Sequence, residues 1–170
     1  MSYIDVLPLA TMKTYLRIDD TQNETDAEIT SMINSAFRYI ERITNVIVSQ
    51  QATKEYIITN RCARIYDHPI NSVVKGIDED DADVTLTFQT NYDKELKHLY
   101  TNYYNIDSEA VKLVLNVGYT TASDVPDDLV HLAKEMVELM YYEQETNKLD
   151  EKKLSFLHKE VLESNRRFII

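Results

Sequence analysis

The segment from Val111 to Glu145 constrains the fold most, because within it an alternating strand passes through one glycine and a Val-Pro step into a long amphipathic helix. Val111, Leu113, Leu115, Val117 and Tyr119 recur at period 2, so this stretch reads as a half-buried strand with Lys112, Asn116 and Thr120 turned outward. Gly118 stands where the chain must bend. Pro126 suits a first helical turn because it has no N–H to leave unpaired. Asp124, Asp127 and Asp128 place negative charge at the positive end of the helix dipole. Leu129, Leu132, Ala133, Met136, Val137 and Met140 follow at spacings of three and four and make one apolar stripe that has to be covered. The spacing predicts a helix from Pro126 to about Thr146.

A second stripe lies near the start of the chain. Leu9 to Asp20 (LATMKTYLRIDD) reads as a short helix begun by Pro8 and ended by the polar run DDTQNET. Thr25-Asp26-Ala27-Glu28 fits a capping box, and Ile29, Met32, Ile33, Ala36, Ile40 and Ile43 continue at helical spacing, which predicts a helix from about Asp26 to Thr44. Between Val46 and Tyr119 the signal changes to β-branched and aromatic runs, the mark of strands joined as a small antiparallel sheet or a set of hairpins. Asp78 to Asp83 is the tightest turn there, whereas Asn91 to Asn105 has mixed periodicity and reads as an insertion. After NKLDEKK, Leu154, Leu157 and Val161 predict a last helix.

The expected class is therefore α+β, mainly α. A helical bundle of a short N-terminal helix, two long amphipathic helices and a C-terminal helix carries a small antiparallel β-sheet or hairpins inserted in its middle. Residues 1–170 are expected to form a single domain, with a β-rich region over 46–120 and a C-terminal helix and arm over 150–170.

Composition removes several function classes. No run approaches the roughly 20 apolar residues a bilayer-spanning helix needs. MSYIDVLPLATMK lacks a basic region followed by an apolar core, so a soluble chain without a secretion signal or membrane partner is expected. One cysteine, Cys62, allows no internal disulfide, and no Cys/His spacing suits zinc. A formal net charge of −11 argues against gripping nucleic acid, since that requires clustered Lys and Arg against phosphates. With two glycines in the chain there is no Gly-rich phosphate loop.

The side-chain constellations read as structural. His131 and Glu135 stand four apart on a helix, but no third metal ligand accompanies them, and a surface ion pair is the simpler reading. The acidic run Asp78, Glu79, Asp80, Asp81 and Asp83 resembles a calcium loop only in charge: such a loop needs glycine at its sixth place and a carboxylate at its twelfth, where Asp83 and Gln89 stand. A solvated hairpin tip, or an acidic surface that repels DNA, remains. Cys62 lies beside Arg61 and Arg64 with no histidine within five residues, which suits a half-buried strand cysteine better than a reactive one. No G-x-S-x-G elbow or S-x-x-K pair occurs. No catalytic residue, metal or cofactor is expected. Tyrosines are densest at Tyr100, Tyr103, Tyr104, Tyr141 and Tyr142, residues that suit interfaces as well as sheet surfaces. Phe168, Ile169 and Ile170, preceded by Arg166 and Arg167, end the chain with three large apolar groups and favour docking over fraying.

Two segments taken together carry a resemblance. They are LATMKTYLRIDDTQNETDAEITSMINSAFRYIERITN, with Lys13-x-x-Leu16-Arg17, the acidic gap, Ala36 and Tyr39-Ile40-Glu41, and VGYTTASDVPDDLVHLAKEMVELMYYEQ. With DHPINSVVKGI between them, they resemble the head-tail connector (adaptor, or head-completion) proteins of tailed bacteriophages. The resemblance covers a little under half the chain and rests on order and spacing. The β-rich middle, Gln50 to Asn105, and the extended C-terminus depart from shorter members.

The resemblance implies a ring, usually of twelve subunits, set between the portal of a DNA-filled head and the next tail-side ring, a stopper or tail protein. It implies assembly in the host cytoplasm, a place in the virion at the head–tail interface, and DNA that passes without specific binding. A closed ring joins unlike patches of neighbouring subunits, which the two long amphipathic helices are expected to supply. Arg166, Arg167, Phe168, Ile169 and Ile170 become the candidate portal anchor. Asp78, Glu79, Asp80, Asp81 and Asp83 become a candidate tip facing the lumen or the tail. Twelve chains of −11 would give the ring a formal charge of roughly −130, which suits DNA passage. Two other readings remain: an acidic DNA-mimic inhibitor, and a different head–tail ring such as a stopper or tail terminator.

Overall fold

A computed structural model of the chain describes every residue except 60, 61, 66, 79, 81, 85, 86, 94–97, 105–109, 143–155 and 166–170. The described residues form helices α1 (Tyr3–Val6), α2 (Leu9–Tyr15) and α3 (Asp26–Thr44), then strands β1 (Gln51–Thr59), β2 (Cys62–Ile65), β3 (Ile70–Ile77), β4 (Asp83–Val84), β5 (Thr87–Asp93), β6 (His98–Tyr104) and β7 (Ala110–Val117). A single 3-10 turn at Ala122–Asp124 leads into α4 (Asp127–Tyr142), and α5 (Phe156–Asn165) follows. The architecture is α+β, with the strands inserted between helices from the two ends of the chain. Two compact units result: Met1–Ser49 with Tyr119–Arg166, and the β-rich Gln50–Gly118.

The first unit is organised by its two long helices. α3 buries Ile29, Met32, Ile33, Ala36, Phe37 and Ile40, and α4 buries Leu129, Leu132, Ala133, Met136 and Val137. These stripes join one core with Val6, Leu7, Met12, Leu16, Val46, Val48, Val125 and Leu162. Each large apolar side chain so buried contributes on the order of 1.5–3 kcal/mol. The stripe read from the sequence omits Phe37, which is fully buried and stacks on Tyr3 with ring centroids 5.4 Å apart and planes 12° from parallel.

The bounds of α3 agree with the periodicity, but its start does not use the expected capping box. Thr25 sits in a helical conformation (φ −99°, ψ 0°) and makes no side-chain cap bond, since a capping hydroxyl reaches the N3 amide only from an extended N-cap. Asp26 instead pairs with Lys13 at 2.9 Å.

α2 stops at Tyr15, five residues short of the expected Asp20. Arg17 takes a left-handed conformation (φ 59°). Its N–H meets the Thr14 carbonyl at 3.1 Å and the Ile18 N–H meets the Lys13 carbonyl at 2.9 Å, the paired bonds of a Schellman stop. The short helix α1 was not legible in the periodicity. It is held by the Asp5 carboxylate, which accepts the Ser2 N–H at 2.6 Å and the Ser2 hydroxyl at 3.0 Å.

The second unit contains two antiparallel sheets, ordered β1-β7-β3-β4 and β2-β6-β5. β7 is an interior strand with Val111, Leu113, Leu115 and Val117 buried as the alternation predicts, and Val114 is buried as well. Gly118 then adopts φ 96°, open to glycine at little cost. Its N–H is taken by the Pro69 carbonyl at 2.8 Å and its carbonyl by the Asn71 amide at 2.7 Å. The stretch Asn91 to Asn105 supplies most of a β5–β6 pairing, from Thr87↔Tyr104 to Asp93↔His98. Its periodicity was mixed, yet its described residues, 91–93 and 98–104, belong to strands. Among the described residues no helix is long and apolar enough to cross a membrane.

Candidate assembly surfaces

The polar groups of the first unit are placed by the turns that end its helices. Lys13 is buried. Its ammonium donates to the Asp20 carbonyl at 3.1 Å and the Gln22 carbonyl at 2.7 Å and pairs with Asp26, so one side chain fastens the acidic loop between α2 and α3. Asp19 tightens the same loop by accepting the Thr21 N–H at 2.9 Å and hydroxyl at 2.7 Å.

Glu41 does the corresponding work at the other end of α3. One carboxylate oxygen accepts the Val48 N–H at 2.6 Å and the Ser49 N–H at 3.1 Å, and the other accepts the Tyr3 hydroxyl at 2.7 Å. Burial, then the bond to Glu41, pushes the Tyr3 phenol up to about 12 from its ordinary value near 10. A phenol whose pKa is higher folded than unfolded adds stability that is whole below pH 10 and is lost as the pH rises through about 12. Urea midpoints of the native chain should therefore fall between pH 9 and pH 12 more steeply than those of Tyr3→Phe. Parallel slopes in the two proteins would remove Tyr3 as the cause.

Conditions differ for the phenol of the second unit. Tyr56 donates to Asp67 at 2.5 Å, and Lys54 pairs with the same carboxylate at 2.6 Å while lying 5.7 Å from the Tyr56 ring. Burial and the Asp67 bond hold this phenol well above the ordinary range.

The surfaces expected to assemble are distributed unevenly. The apolar stripes of α3 and α4 face each other across the core of the first unit, so they are not available to join subunits. Burial consumes the stripes themselves, and the two long helices keep their outer faces for contacts with other chains. What α3 leaves outside is polar, with Glu28, Ser31, Ser35, Arg38 and Arg42 exposed.

In the first unit the exposed large hydrophobic residues among those described are Tyr15 and Tyr142. Tyr15 donates to Glu138 at 3.4 Å, and Tyr142 donates to the Leu16 carbonyl at 3.4 Å and meets Tyr141 edge to face at 5.3 Å. Burial, then the charges of Glu138 and Glu135, raises the Tyr15 phenol.

Asp78, Asp80 and Ala82 lie between β3 and β4, and Asp83 opens β4 opposite Ile77. Asp78 organises the turn: its Oδ1 accepts the N–H groups of Asp80 at 3.0 Å and Ala82 at 2.9 Å. Asp83 pairs with Lys75 at 2.8 Å, and both groups are exposed. Asp80 is exposed; Glu79 and Asp81 lie outside the described residues, as do Arg166, Arg167, Phe168, Ile169 and Ile170. His131 meets Glu135 at 3.3 Å as a helix-surface pair. Cys62 opens strand β2, opposite Asn102.

No protein-family model matches the sequence, and no curated protein matches it either. Solved structures do. A chain in the neck of an empty GTA particle computed with C6 symmetry superposes with a TM-score of 0.75 at 15% identity, over 100% of this chain and 94% of that one. A chain in the virion of a native gene transfer agent (GTA) particle gives 0.72 at 15% identity, over 97% and 91%. At this identity the likeness is one of fold, and this chain is similar in fold to a protein of those particles across nearly the full length of both.

Proposed function

We propose that this protein is a structural component of the neck of a tailed phage or phage-like particle, a ring adaptor between the portal and the tail. The carrying observation is the fold similarity to a chain from a particle neck over 100% of this chain and 94% of the other. The ordered motifs from Lys13 to Glu41 and from Gly118 to Tyr142 support the same reading independently of the fold, as does the net charge of −11, which suits a passage for DNA.

Its partners are then further copies of itself, the portal protein, the next tail-side ring and, without specific binding, the passing DNA. A C6 operator of the kind used for the neighbouring particle is satisfied by six subunits or by twelve, and twelve is the number proposed here. The anchor to the portal is Arg166 to Ile170. The tip at Asp78 to Asp83 faces the lumen or the tail.

The test is native mass spectrometry of the purified chain mixed with the portal ring of its own particle, beside a variant truncated after Asn165. One copy per portal subunit is expected, adding about 238 kDa for twelve chains of 19.8 kDa, with the complex lost on truncation. No portal complex from either protein would sink the adaptor reading and leave a later tail ring or a DNA mimic. A complex that survives truncation would sink the anchor alone.

A further inference from the structure

Two surface patches at opposite ends of the first unit carry opposite charge, and we infer that they meet between neighbouring copies of this chain in the ring. The inference rests on the ring proposed above and specifies the contact that joins its subunits. One patch is on α4, Glu138 with Tyr15 and Tyr142 beside it and Glu135, already paired with His131, one turn before; the other is the pair Arg38 and Arg42 on the outer face of α3.

Side-chain bonds place the patches at different ends. The Tyr142 hydroxyl reaches the carbonyl of Leu16, the residue that caps α2, and Lys13 on that helix holds Asp26 at the start of α3. The last turn of α4 therefore lies by the first turn of α3, and the two helices run antiparallel. At the far end Tyr3 stacks on Phe37 and bonds to Glu41, and Arg38 is close enough for its charge to act on the Tyr3 phenol. From Asp26 to Arg42 the helix rises about 24 Å, and with Glu138 one turn in from the end of α4 the gap between Glu138 and Arg42 along the helices is about 18 Å. Patches this far apart on one body cannot satisfy each other within a subunit. They can do so head to tail, and contacts between unlike patches are those that build rings.

The chemistry of the patches suits that contact. Arg38 and Arg42 are exposed, and Arg42 lies 5.2 Å from the centre of the Tyr39 ring, which steadies its guanidinium without neutralising it. Tyr142 keeps 65% and Tyr15 36% of their surface in water. Tyrosine and arginine are the residues in which interface energy concentrates, and a guanidinium fits both a carboxylate and an aromatic face. Arg17 is also exposed at the tyrosine end and Lys134 stands one turn before Glu138, so the acidic character belongs to Glu138 itself and not to the whole end.

The test uses Glu138→Arg, Arg42→Glu and the double variant carrying both, each in the full chain, with helical circular dichroism to confirm folding. Ring formation is read by native mass spectrometry, alone and on the portal ring. Each single reversal sets like charges against each other and should reduce the fraction of chains in rings about tenfold or more. The double variant restores the pairing and should recover most of it. Folded single variants that assemble as well as the native chain, or a folded double variant no better than the singles, would overturn this contact while leaving the ring standing. Native chains that form no ring under either condition would overturn the ring and the contact together.

Discussion

Phe37→Ala should destabilise the first unit by about 3–5 kcal/mol, the range for removing a large aromatic group from a packed core. Phe37 has no exposed surface, belongs to the same core as the α4 stripe and stacks on the ring of Tyr3. Truncation would open a cavity and also free Tyr3, the side chain that links α1 to Glu41. For a domain of this size the loss corresponds to a fall in Tm of about 10 °C or more. Circular dichroism at 222 nm is the appropriate probe, because all the described α-helices belong to the first unit. Phe37→Leu keeps most of the volume and should cost about a third as much. A loss below about 1 kcal/mol for the alanine variant would mean that the site collapses around the deletion and that Phe37 is no keystone of the unit.

Lys13→Met should be the second most damaging single change, at about 2–4 kcal/mol. Methionine retains the length and apolar stem, so the variant isolates the ammonium. Without it the carbonyls of Asp20 and Gln22 lose a charged donor, and Asp26 is left without its counter-ion at the start of α3. Breaking a fully buried pair by removing one partner costs 3–5 kcal/mol. Here the Asp26 side chain keeps 30% of its surface in water and can be rehydrated, which lowers the expected figure. Urea unfolding measures the total, and limited proteolysis between Asp19 and Thr25 measures the local part. Cleavage there should quicken well before global unfolding does, since the loop is fastened chiefly by this side chain. An unchanged cleavage rate would show that Asp19 and its bonds to Thr21 hold the loop unaided.

Lys13 also marks the boundary of what sequence reasoning can reach. A lysine among polar neighbours on a short helix reads as solvated, and nothing within four residues signals that two carbonyls and a carboxylate will converge on it. The same holds for Thr25. Its capping-box spacing was present, but the partner that decided the turn was Lys13, twelve residues away. The acidic tip was legible as a turn. That Asp78 organises it while Asp83 pairs with Lys75 depended on the β3–β4 register.

What the sequence determined by itself was whatever follows from local periodicity and backbone chemistry. The bounds of α3, the alternation of β7, the bend at Gly118 and the start of α4 after Pro126 all come from side-chain spacing and dihedral preference within a few residues, and all are observed. Tertiary structure alone decided what depends on which distant groups meet. It put Phe37 into the core, divided the strands between two sheets, and turned the apolar stripes of α3 and α4 toward each other. Covering apolar area is non-directional, so a stripe specifies that it must be buried without specifying against what. The choice between a neighbouring helix and a neighbouring subunit was made only when the chain closed on itself, and that left tyrosine and charge as the outward chemistry of the first unit.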